Sequence, residues 1–133
     1  MRRFFVICLA ISLMLSLTIA SAQAQDVSVM ADNYRTANAT ISISNGVANV
    51  SGSMQGIRGT TSKVTVHLYL QQYSDGEWID YDDWLESAEG ISCTVNKNVA
   101  VPSGYKYRAK ASCYAYAGSK CEHITKYSKA VSR

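Results

Sequence analysis

Two imidazoles, His67 and His123, are the side chains best suited to acid–base work near neutral pH. Neither stands beside a nucleophile in a recognisable setting such as a Gly-x-Ser-x-Gly elbow. Cys93, Cys113, Cys121 and His123 are zinc-ligand types, yet the close Cys-x-x-Cys pair of structural zinc sites is missing. Asp75, Glu77, Asp80, Asp82, Asp83, Glu86 and Glu89 gather hard oxygen donors into one stretch. That stretch lacks the ordered loop of an EF-hand, and a strand sends alternate residues to opposite faces, so it reads as a solvated acidic edge. The sequence therefore predicts no catalytic residue, no metal and no cofactor, and the protein is expected not to be an enzyme.

A second set of residues points to recognition. His67, Tyr69 and Tyr73 alternate along one run, and Arg108, Lys110, Tyr114 and Tyr116 along another. Flat tyrosines flanked by donors suit stacking on sugar rings or anchoring a protein, where Tyr, Trp and Arg carry disproportionate binding energy. These seven residues are the predicted binding surface, with a cell-wall glycan or an extracellular protein as partner.

The chain begins as an export signal. Arg2 and Arg3 precede an apolar run from Phe4 to Ala20, and Ala22-Gln23-Ala24 forms a small-x-small site. Cleavage after Ala24 is expected, giving a secreted protein with no stable membrane anchor. With Arg2 and Arg3 gone, the mature chain sets eleven cations against ten carboxylates, a balance that disfavours nucleic acid as a partner. Three cysteines remain, Cys93, Cys113 and Cys121; an odd number cannot all pair, and their pairing is left open.

The elements that must position these side chains are strands. Residues 25–38 are polar and aperiodic and read as a leader, with one domain over 39–133. Ile41 and Ile43 alternate before Asn45-Gly46, a primed-turn dipeptide, after which Ala48, Val50, Gly52 and Met54 face one way. Val64, Val66, Leu68 and Leu70 form the apolar face of the clearest strand. Asp75-Gly76 turns the chain into the aromatic run Trp78–Tyr81, and Asp82 to Glu89 is expected to form one or two helical turns ending at Gly90. Ile91 to Val101 alternates, Pro102-Ser103-Gly104 turns, and Tyr105 to Ala117 aligns Tyr105, Tyr107, Ala109, Ala111, Cys113 and Ala115. Gly118-Ser119 leads into a last strand over about 122–131. Seven or so antiparallel strands without a long amphipathic helix predict an all-β sandwich of two sheets.

The segment Pro102-Ser103-Gly104-Tyr105-Lys106-Tyr107-Arg108-Ala109-Lys110-Ala111 resembles the start of strand F in fibronectin type III and other immunoglobulin-like domains. The resemblance implies a tyrosine corner at Tyr105, its ring buried and its hydroxyl bonded back to the loop. It also implies that the third, sixth and last strands share a sheet, bringing the seven binding residues together. The pattern from Ala39-Thr40-Ile41-Ser42-Ile43 through Gly76-Glu77-Trp78 to Thr125-Lys126-Tyr127-Ser128 is similar to small exported proteins of clostridia and related bacteria, a resemblance that implies fold and compartment without an activity. An extracellular binding or adhesion module is the expectation. The alternatives are a self-associating surface protein joined through an edge strand, and a hydrolytic or calcium-dependent factor using the acidic stretch.

Overall fold

The computed structural model describes residues 33–133; the predicted signal and residues 25–32 of the leader lie outside them. Eight strands follow in order: β1 (Tyr34–Ser44), β2 (Val47–Gly56), β3 (Lys63–Ser74), β4 (Glu77–Glu89), β5 (Ser92–Ala100), β6 (Lys106–Ala117), β7 (Lys120–Tyr127) and β8 (Val131–Ser132). All pairings are antiparallel. One sheet has the order β1-β2-β5 and the other β4-β3-β6-β7, with β8 joining β6 beyond the end of β7.

The turn residues account for the register. Asn45 and Gly46 adopt φ of 51° and 76°, and Asp75 and Gly76 adopt 52° and 81°. Type I′ turns require positive φ at both central positions, and their twist matches that of the strands they join. The pairs that follow from the turns, Ser44 with Val47 and Ser74 with Glu77, are the ones observed.

Period-two alternation then decides which side chains meet between the sheets. Ala48, Val50 and Met54 from β2, Val64, Val66, Leu68 and Leu70 from β3, Val95 from β5, and Tyr107, Ala109, Ala111, Cys113 and Ala115 from β6 are buried there. Gly52 of β2 faces the other sheet at close range: a Cβ there would stand 3.1 Å from both Ala111 Cβ and Leu68 Cδ1.

Three expectations need correction. Residues 34–38 belong to β1, so the domain begins before residue 39; Ala37 is buried in the core and anchors this part of the strand. Asp82 to Glu89 is extended as the second half of β4, because Trp84 and Ala88 pack against the core across from Leu68 and Val64. Strand pairing with β3 thus overrides a weak local capping signal. A bulge at Tyr81, between the pairs Leu70 with Asp82 and Gln71 with Asp80, resets which side chains of β4 face outward.

The third correction concerns the tyrosine corner. Tyr105 precedes β6 and its side chain is exposed, whereas Tyr107 is fully buried. The Tyr107 hydroxyl donates to the Pro102 carbonyl at 2.6 Å and accepts from Gln72 Nε2 at 3.1 Å. Tyr107 is therefore the corner residue, and Tyr105 packs edge-on to its ring at a centroid distance of 6.4 Å.

All three described cysteines are free. Cys93 and Cys113 are buried on β5 and β6, and no Cα of β5 comes within 8 Å of one on β6, too far for a disulfide without backbone movement. Cys121 is exposed on β7.

Candidate functional site

The outward face of the larger sheet collects the predicted residues. On β3, Thr65, His67, Tyr69, Gln71 and Tyr73 point away from the core; on β6, Lys106, Arg108, Lys110, Ser112, Tyr114 and Tyr116 do the same. Register places Tyr73 opposite Lys106, Gln71 opposite Arg108, Tyr69 opposite Lys110 and His67 opposite Ser112. All seven residues singled out from the sequence thus share one surface, His67, Tyr69 and Tyr73 on one strand and Arg108, Lys110, Tyr114 and Tyr116 on its neighbour.

The rings on this surface are interleaved with cations. The Arg108 guanidinium lies 4.3 Å from the Trp78 ring centroid and 4.4 Å from that of Tyr127. Its Nε donates to Gln71 Oε1 at 2.8 Å, and Gln71 Nε2 donates to Asp80 Oδ1 at 2.8 Å, so a polar chain crosses β6, β3 and β4. Lys110 Nζ sits 4.9 Å from the Tyr69 centroid and Lys63 Nζ 5.4 Å from that of Tyr116. Such cation–π contacts are each worth about 0.5–1 kcal/mol at exposed sites.

Both histidines belong to the same face. His67 stacks on Tyr69 at 4.1 Å, and its Nε2 lies 2.7 Å from Asp83 Oδ2. A carboxylate only accepts, so Nε2 carries the proton; in the neutral imidazole Nδ1 then accepts from the Tyr69 hydroxyl at 2.8 Å. His123 stacks on Tyr114 at 4.3 Å, with its Nε2 2.7 Å from Ser112 Oγ.

The Asp83–His67–Tyr69 chain has the connectivity of a relay. Burial, followed by the negative charges of Asp80 and Asp83, raises the Tyr69 pKa above its usual 10.0. An open cavity of about 720 Å³ lies elsewhere, lined by Asn33, Thr60, Ala117, Lys120, Cys121 and Glu122. The chain ties β3 to β4 and fixes the ring planes.

The acidic stretch does not converge. Asp80 and Asp83 are engaged by Gln71 and His67 on the outward face, while Glu86 points to the other side of β4 and pairs with Lys97 at 3.2 Å. Among the described residues no group of three or more His, Cys, Asp or Glu side chains is arranged to hold a metal ion. Cys113 faces the core, and Cys121 and His123 lie across the sheet from it, opposite Tyr116 and Tyr114.

Trp78, Gln71, Lys63 and Tyr127, none of them among the predicted binding residues, complete the surface together with His123, which the sequence offered only as a base or metal ligand. Their signal lay in the turns. A two-residue loop at Asp75-Gly76 sets Trp78 against Tyr73, and one at Gly118-Ser119, with Gly118 at φ 62°, sets Tyr127 against Lys110.

Fold and surface together define an immunoglobulin-like β-sandwich: β1, β2 and β5 form one sheet, and β3, β6 and β7 the other, with β4 added at the edge next to β3. No family model matches the chain, and no curated protein matches it. Among solved structures, the chain is similar to the solution structure of R. palustris CsgH, with 16% identity over 69% of this chain and 88% of that one and a TM-score of 0.45.

Proposed function

We propose that this protein is a non-catalytic, exported binding module and that the outward face of the larger sheet is its recognition surface. The observation that carries the reading is contiguity: Trp78, Tyr73, Tyr69, Arg108, Lys110, Tyr127, Tyr114 and His123 form one belt of rings and cations across four strands. Scattered aromatics need no explanation, but a continuous patch on a sheet with a separate, fully packed core does. Ring edges, hydroxyls and cationic donors presented on rigid strands suit a glycan or an extracellular protein partner.

The test is a binding screen of the secreted protein against cell-wall glycans, polysaccharides and intact cells, beside a Tyr69→Ala/Tyr114→Ala/Tyr116→Ala variant. Saturable binding that disappears in a variant with unchanged circular dichroism supports the surface. Binding indifferent to the three tyrosines sinks it.

Self-association through an edge is the second reading, motivated by β4, a 13-residue strand with one side unpaired. Its six carboxylates and absence of any Lys or Arg oppose pairing of β4 with its own copy.

A further inference from the structure

The centre of the recognition surface is a row of cations. Lys106, Arg108 and Lys110 are successive outward residues of β6; with a rise of about 3.3 Å per residue they repeat every ~6.6 Å and span ~13 Å. Across from them stand Tyr73, Gln71 and Tyr69 on β3, with Tyr127 and Ser132 on the other side. Every one of these neighbours is uncharged. Among the described residues none of the three cations takes part in an ion pair. The carboxylates of the same face, Asp80, Asp83 and Glu89, lie two strands away on β4; Asp80 and Asp83 are engaged by Gln71 and His67, and Glu89 stands opposite Lys63.

The rings on either side limit what can sit on this row. Arg108 lies over both the Trp78 and Tyr127 rings, and Lys110 lies over Tyr69, so each ring has a face covered by a cation. Arg108 uses Nε on Gln71, while its two Nη amino groups make no hydrogen bond among the described residues. The donors left free are thus ammonium and guanidinium groups in a line, bordered by phenol hydroxyls. A protein interface desolvates an apolar centre, whereas the centre here is three unpaired charges. A duplex nucleic acid would carry phosphates over the carboxylates of β4, and the near-neutral mature chain offers no wider basic field to offset that.

We infer that the ligand is a linear carboxylated polysaccharide lying along β6, its acid groups meeting Lys106, Arg108 and Lys110 and its hydroxyls meeting Tyr73 and Tyr127. The inference rests on the reading of this face as a recognition surface and adds the chemical class of the ligand. The anionic repeat supplies the charge that the row lacks, and the hydroxyls satisfy polar edges that an apolar partner would leave unpaired.

The test measures binding of the secreted protein to polygalacturonate, to neutral dextran and to poly-glutamate, in 50 and 500 mM salt. A Lys106→Gln/Lys110→Gln variant runs alongside; neither lysine is buried, and an unchanged thermal midpoint shows that it folds. Polygalacturonate is expected to bind, to lose at least tenfold in affinity in the variant, and to weaken at the higher salt as the charges are screened. Dextran is expected not to bind, and poly-glutamate to bind more weakly. Equal binding of dextran, an affinity unaffected by the double substitution, a preference for poly-glutamate or no binding of polygalacturonate would each overturn the assignment. If polygalacturonate fails while another ligand is lost with Tyr69, Tyr114 and Tyr116, the ligand class falls and the surface stands. If every ligand is indifferent to both variants, both readings fall.

Discussion

Tyr107 shows how one hydroxyl holds two segments. It donates to the Pro102 carbonyl and accepts from Gln72, joining the turn before β6 to the end of β3 in a site closed to water. Removing it orphans a buried donor, and such groups cost about 1–3 kcal/mol. Tyr107→Phe is therefore expected to lower the unfolding free energy in urea by that amount, while Tyr105→Phe, at an exposed position, should change it by less than about 0.5 kcal/mol. The reverse ranking would return the corner to Tyr105. The thiols divide just as sharply. Cys93 and Cys113 are buried and Cys121 is exposed, so a colorimetric thiol reagent should titrate one of these three groups in the native protein and all three in urea.

At the scale of elements, β2 and β4 meet opposite demands. Gly52 lets β2 approach β3 and β6, and a methyl group there would press on Ala111 and Leu68 at 3.1 Å. Overpacking a closed core costs about 1–3 kcal/mol. Gly52→Ala is accordingly expected to lower the thermal midpoint; an unchanged midpoint would show that the sheets have room to part. β4 instead faces solvent along its free edge, where unpaired backbone groups invite another strand. Its charges guard that edge, with Asp82 and Glu86 directed to the core side of the strand and the bulge at Tyr81 twisting it. Asp82→Asn/Glu86→Gln/Glu89→Gln should make the protein associate more strongly with rising concentration in light scattering, and a variant whose association matches that of the unaltered protein would assign the guarding to the bulge.

For the whole molecule, the core sets an alkaline limit. Burial, and then the neighbouring Cys93, raises the Cys113 thiol from 9.0 to about 11, and burial followed by Glu86 raises Cys93 as well. The folded state holds these protons more tightly than the unfolded chain, so their contribution is complete below pH 9 and is lost as pH rises from 9 towards 11. Urea midpoints should fall across that interval, and Cys113→Ala should flatten the fall; an equally steep decline in the variant would place its origin elsewhere. The two-sheet, antiparallel architecture was legible in the chain because alternation such as Val64-Val66-Leu68-Leu70 is a local property, and because Asn45-Gly46 and Asp75-Gly76 fix hairpin register through backbone sterics alone. The outward position of His67, Tyr69, Arg108 and Lys110 followed from the same alternation. Other features depend on neighbours from distant parts of the sequence. Trp84 and Ala88 hold residues 82–89 extended against the core where the local signal favoured a helical turn, and the depth at which β6 enters the sandwich buries Tyr107 instead of Tyr105. The pairing of β6 with both β3 and β7 sets Arg108 between Trp78 and Tyr127, a juxtaposition that no single strand encodes.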